Sequence, residues 1–78
     1  MNPRVASITP LPGLLLDLEF ADGRRARFDI APYVHALAFA RLRDPGYFSQ
    51  AAVNHGTVEW PGGIDCDPDT LYLDSQNI

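Results

Sequence analysis

Asp65-Cys66-Asp67-Pro68-Asp69 is the densest group of chemically capable side chains in the sequence. Carboxylates at alternate positions imitate the opening of a calcium loop, and a cysteine between two of them invites a nucleophile reading. Neither chemistry has the surroundings it needs. An EF-hand loop requires glycine at its sixth position and glutamate at its twelfth. Counted from Asp65, those positions hold Thr70 and Gln76. A nucleophilic thiol needs a depressed pKa, and flanking carboxylates push it the other way. The spacing instead reads as a helix start: Asp67 as N-cap, Pro68 at the first helical position where its missing N–H costs nothing, and acids beside the positive end of the helix. Cys66 is then a half-buried structural residue.

The remaining candidates are two histidines and a group of arginines. His35 falls on an expected helix and His55 at an expected hairpin tip, and no Ser-His-Asp or Cys-His pairing follows from their spacing. Arg25 and Arg27 project from the polar face of one expected strand, and Arg41 and Arg43 flank the next turn. These four form the expected interaction surface, either for an acidic protein partner or for nucleic acid. Base stacking calls for exposed aromatics among the arginines. Phe20 and Phe28 fall on the opposite face of the same strands, which places nucleic acid behind protein. The competing expectation is that Glu19 and Asp17 neutralise Arg25 and Arg27 across a hairpin. No catalytic residue, metal ligand or cofactor site is assigned, and the chain is read as a non-enzyme.

Size and charge set bounds on these readings. The 78 residues make one small domain, 1–78, near the lower limit for a self-sufficient core. The single cysteine cannot form an internal disulfide, so stability must come from packing, with self-association as a further source. A lone cysteine fits a cytoplasmic location. No apolar run is long enough to span a membrane, and no secretory signal is expected at the start. Residues 1–43 hold all six arginines and four acids, a balance of +2, whereas residues 44–78 hold six acids and no base, a balance of −6. An acidic second half opposes broad binding to phosphates.

Hydropathy patterning supplies the elements that carry these side chains. Arg4 to Thr9 is a strand with a bulge, because Val5 and Ile8 differ in parity. Leu11-Pro12-Gly13-Leu14 has the residues of a type II turn. Leu14 to Phe20 and Arg24 to Ile30 alternate with period two around Asp22-Gly23. A two-residue loop there would set Leu18 opposite Arg27. A three-residue loop, Ala21-Asp22-Gly23 with Gly23 left-handed, pairs Leu18 with Ala26, Leu16 with Phe28, Glu19 with Arg25 and Asp17 with Arg27. The sequence then predicts a helix from Pro32 to about Ala38 burying Val34 and Leu37, a separate turn with Phe39 and Leu42, and a capped turn from Asp44-Pro45 carrying Tyr47 and Phe48. A second hairpin sets Ala51–Asn54 against Thr57–Trp60 through His55-Gly56, with Val53 opposite Val58 and Ala51 opposite Trp60. Pro61-Gly62-Gly63 turns the chain into the last helix, Pro68 to about Asp74, and Ser75 to Ile78 is expected to fray. The expected fold is α+β: a small antiparallel sheet of two β-hairpins with short helices between and after them.

Several blocks together resemble a known family. Phe20-Ala21-Asp22-Gly23-Arg24, Arg27-Phe28-Asp29-Ile30-Ala31-Pro32-Tyr33, Asp44-Pro45-Gly46-Tyr47-Phe48, Gly56 through Asp65 and Asp67-Pro68-Asp69-Thr70-Leu71-Tyr72 are similar to the bacterial family called domain of unknown function 2442, over nearly the whole chain. The resemblance implies a small α+β domain with no established catalytic residues. It also implies a partner, because members occur beside another small family, domain of unknown function 4160, in an arrangement like a toxin–antitoxin pair. The expectation is a cytoplasmic protein-interaction module forming one half of a two-protein system. A nucleic-acid-associated regulatory domain is the alternative.

Overall fold

Alternating apolar residues build the larger of two sheets in the computed structural model, which describes residues 2–35 and 37–78. Strand β1 (Val5–Leu11), β2 (Leu15–Phe20) and β3 (Arg25–Asp29) run antiparallel, and a short β7 (Gln76–Asn77) closes the far edge in the order β1-β2-β3-β7. Leu16, Leu18, Phe20, Ala26 and Phe28 line the buried face. The β2–β3 register pairs Leu16 with Phe28, Asp17 with Arg27, Leu18 with Ala26 and Glu19 with Arg25, as parity requires. Gly23 closes the loop at φ 89°. The expected irregularity in β1 lies between Val5 and Ser7.

The smaller sheet contains β4 (Ala52–Asn54), β5 (Thr57–Trp60) and β6 (Ile64–Asp65). Its first turn is His55-Gly56, both with positive φ, and Val53 faces Val58. Pairing stops at Ala52 with Glu59. The Pro61-Gly62-Gly63 elbow is itself a hairpin turn that returns the chain as β6, with Trp60 opposite Ile64. Two bonds join the sheets: the Val5 N–H donates to the Gly56 carbonyl at 2.9 Å, and Arg4 donates to the His55 carbonyl at 2.9 Å.

Both sheets and the helical pieces bury side chains in one core that includes Val5, Ile30, Leu42, Phe48, Trp60 and Leu71. Trp60 is 1% exposed, and its indole N–H donates to the Phe48 carbonyl at 2.9 Å. The two Asp-Pro devices work as read. Asp44 caps α1 (Pro45–Phe48) by accepting from the Gly46 N–H, and Asp67 caps α2 (Pro68–Asp74) by accepting from the Asp69 N–H.

The fold is α+β and richer in strands than expected, with seven strands in two sheets among the described residues instead of two hairpins in one sheet. Three local expectations are corrected. The helix from Pro32 to Ala38 is replaced by a 3₁₀ turn, Ala31–Tyr33, and a second 3₁₀ segment, Leu37–Arg43. Phe39 and Leu42 stand three residues apart, a spacing that a 3₁₀ turn brings onto one side, and Leu42 is fully buried. The expected burial of Leu37 concerns a side chain that lies outside the described part of the structure. Leu14 stands in the turn at φ 63°, not in the strand, because the chain must reverse within three residues to pair Leu11 with Leu15. Finally, the segment expected to fray is ordered: Gln76 and Asn77 pair with Arg27 and Ala26.

Candidate functional site

The polar face of the larger sheet carries Arg25 and Arg27 on alternate, exposed positions of β3. Their surroundings differ. Arg27 donates to both carboxylate oxygens of Asp17, at 2.7 and 3.1 Å. That bidentate bond and the positive charge of Arg27 and Arg25 hold the Asp17 carboxyl below its ordinary value, and Asp17 raises Arg27 in return. Arg25 faces Glu19 in register, but no ion pair or hydrogen bond engages its guanidinium among the described residues. Ser7, Thr9, Asp17, Glu19 and Ile78 surround it in a shallow polar depression.

Arg41 and Arg43 stand in other settings. The Arg41 guanidinium lies 4.2 Å from the centre of the Tyr47 ring, a cation–π contact. It also passes the Pro61–Gly63 turn, where the Tyr47 hydroxyl donates to the Pro61 carbonyl. Arg43 meets His35 Nδ1 at 3.3 Å and stands at the rim of an open groove of about 440 Å³ whose walls include Pro10, Leu11, Leu14 and Phe48. No hydrogen bond, ion pair or ring contact links these two arginines to Arg25 and Arg27 among the described residues.

Arg24 is the residue that sequence reasoning passed over. It precedes β3, and its guanidinium donates to Asn77 Oδ1 at 2.6 Å, the Tyr72 carbonyl at 2.6 Å, Ser75 Oγ at 3.1 Å and the Ser75 carbonyl at 3.0 Å. It also lies over the rings of Tyr72 and Phe20, at 4.7 and 5.4 Å. The Tyr72 hydroxyl completes the network by donating to Asp22 Oδ2 at 2.8 Å. The Arg24 N–H, followed by that hydroxyl, holds the Asp22 carboxyl below its ordinary value. No local pattern marks Arg24, because its acceptors lie about fifty residues away and two of the four are backbone carbonyls.

The acidic stretch has structural duties. Asp67 caps α2 and also accepts from Thr70, and Asp69 accepts from Asn2. Burial, followed by the charge of Asp65, pushes the Cys66 thiol up to about 12. Cys66 is tied to β5 on both sides of its peptide: its N–H donates to the Val58 carbonyl, and Thr57 Oγ1 donates to its carbonyl.

A family model described as Protein of unknown function (DUF2442) matches residues 5–77. The chain belongs to that family. No curated protein and no solved structure matches it. The DUF2442 match runs from the first residue of β1 to the last of β7, so the Arg25 face, the Arg24 network and the groove all lie within it.

Within this DUF2442 domain, the titratable groups are dispersed. Among the described residues, no three of its His, Cys, Asp and Glu side chains converge as metal ligands would. No described helix is long and apolar enough to cross a membrane. What the surface offers is recognition chemistry: an exposed guanidinium on an ordered sheet, available for charge-assisted hydrogen bonds.

Proposed function

We propose that this chain is a protein-interaction module that binds an acidic segment of a partner protein through the polar face of its larger sheet. The carrying observation is the asymmetry between neighbours on β3. Arg27 is engaged by Asp17, while Arg25, two residues away, is exposed and has no acid bonded to it among the described residues. A guanidinium held on a sheet adds specificity and encounter rate for a charged partner. The family's resemblance-based pairing with a second small protein supports a role as one half of a bacterial two-protein system. The partner is then a small protein of the domain of unknown function 4160 kind.

The test is affinity capture from the native host with the tagged chain and with Arg25→Glu, analysing recovered protein and nucleic acid separately. Arg27→Glu is unsuitable, because it would set an acid against Asp17 and damage the fold. The reading expects one small protein in stoichiometric amount with the wild type, and its loss with a folded Arg25→Glu variant. Stoichiometric capture that survives Arg25→Glu overturns it, as does recovery of nucleic acid alone.

A further inference from the structure

The tail that pairs with β3 is a poor fit to the strand it covers. Only Ala26 and Arg27 of β3 have partners in β7, and one further bond runs from the Ile78 N–H to the Arg25 carbonyl at 3.1 Å. Phe28 and Asp29 have no partner strand on that side among the described residues. Gln76, Asn77 and Ile78 are all exposed, and Ile78 keeps 56% of its surface in water. None of these three side chains belongs to the core or packs against it as a partly buried hydrophobic.

The register adds a mismatch of charge. Continued by one residue, it sets Ile78 opposite Arg25, and both line the same polar depression. Gln76 stands opposite Arg27, which Asp17 already neutralises. The tail thus presents an apolar residue at the β3 position whose arginine has no acid bonded to it among the described residues. Directly opposed residues in antiparallel strands have Cβ atoms about 4.5–5.5 Å apart, close enough for a carboxylate to meet that guanidinium.

The residues before this segment are anchored independently of it. Arg24 binds the Tyr72 carbonyl and both oxygens of Ser75, which is 8% exposed. These bonds do not involve residues 76–78. Swinging the tail out about Ser75 breaks the Arg24–Asn77 bond and the short ladder, and leaves the anchor at α2 in place.

We infer that the β3 edge is a strand-addition site, that residues 76–78 are a strap occupying it, and that the occupant displacing them is an extended segment of the partner protein with an acidic side chain opposite Arg25. This rests on the reading of Arg25 as the partner's contact and specifies how the partner is held. Ladder hydrogen bonds supply the affinity and the alternate side chains supply selectivity. An incoming strand long enough to pair also with Phe28 and Asp29 gains bonds that the strap does not make.

The test titrates a fluorescent synthetic peptide of alternating glutamate and valine, blocked at both ends, against the full chain and a variant ending at Ser75. A peptide with glutamine for glutamate is the control. Truncation should tighten binding of the acidic peptide roughly 10-fold or more, the factor expected if the strap is open in about one molecule in ten. The glutamine peptide should show less gain, and Arg25→Gln should abolish the preference for acid. Equal binding by full and truncated chains overturns the inference. Ile78→Glu in the full chain decides the matter if the truncated variant does not fold. That change gives the strap its own acid opposite Arg25 and should weaken peptide binding, and unchanged or tighter binding overturns the inference. If the peptide ignores the strap while host capture still depends on Arg25, the strap fails and the interaction reading stands. If Arg25 matters in neither assay, both fail.

Discussion

Arg24 meets Tyr72 in two ways: the guanidinium lies 4.7 Å from the centre of the tyrosine ring and donates to that residue's own carbonyl at 2.6 Å. The contact unites the β2–β3 turn with α2, and through Ser75 and Asn77 it sets where β7 begins. Everything proposed for the β3 edge depends on this anchor.

Arg24→Ala should therefore destabilise the domain by about 2 kcal/mol or more, the range for hydrogen bonds to a charged group whose acceptors are left behind. Arg24→Lys should recover less than half, because one ammonium cannot reproduce a planar fork that meets several acceptors and covers a ring. Urea denaturation of the three proteins checks both expectations. Full rescue by lysine would show that only the charge matters.

Trp60 is the largest fully buried side chain, and truncating it should be the most damaging core change. Trp60→Ala is expected to cost about 3–5 kcal/mol. Trp60→Phe should cost less, since it keeps a ring against Phe48, now 5.8 Å away between centroids, and loses the indole bond to the Phe48 carbonyl. Thermal melts followed by circular dichroism give the ranking.

Gly56 joins the two sheets at a position with no room for a side chain. Its φ is 77°, and a Cβ there would come within 2.7 Å of the Arg4 side chain. Gly56→Ala should lose about 1–2 kcal/mol from the left-handed conformation alone, plus the cost of moving Arg4. A cycle with Arg4→Ala separates these costs. The glycine substitution should be milder in the Arg4→Ala background, and strict additivity would refute the clash.

The buried thiol makes stability fall at alkaline pH. Cys66 is raised from 9.0 to about 12 in the folded chain, so its contribution is complete below pH 9.0 and is lost as pH rises towards 12. Tyr33 and Tyr72 are raised too, the first mainly by burial and the second mainly by its bond to Asp22, and they act in the same direction. Cys66→Ala should flatten the stability profile in that window while leaving the tyrosine part. Native Cys66 should also resist alkylation at pH 8 and react once unfolded. Rapid alkylation of the folded chain would contradict its burial.

Period-two alternation made the larger sheet legible, because Leu16, Leu18, Phe20, Ala26 and Phe28 admit only one register once Ala21-Asp22-Gly23 is the loop. Asp44-Pro45 and Asp67-Pro68 declared the helix starts, since a cap acts through neighbours within three residues. The same locality explains what was missed. β7 is Gln76-Asn77, two polar residues with no pattern of their own, ordered by a strand and an arginine some fifty positions earlier. At the site, Arg25 and Arg27 could be placed on one face from parity alone. Parity could not tell which one an acid would hold, because Asp17 and Glu19 stand opposite them in equivalent positions and only side-chain geometry separates the pairs.

The most direct test of the interaction account is a titration of the isotopically labelled chain with the purified partner, followed by amide chemical shifts. The account predicts that the shifts concentrate on β3 and residues 76–78, with the Ile78 and Arg25 amides among the most affected. Shifts confined to the Pro10–Leu14 turn and Phe48 would place the partner in the apolar groove instead and contradict the account.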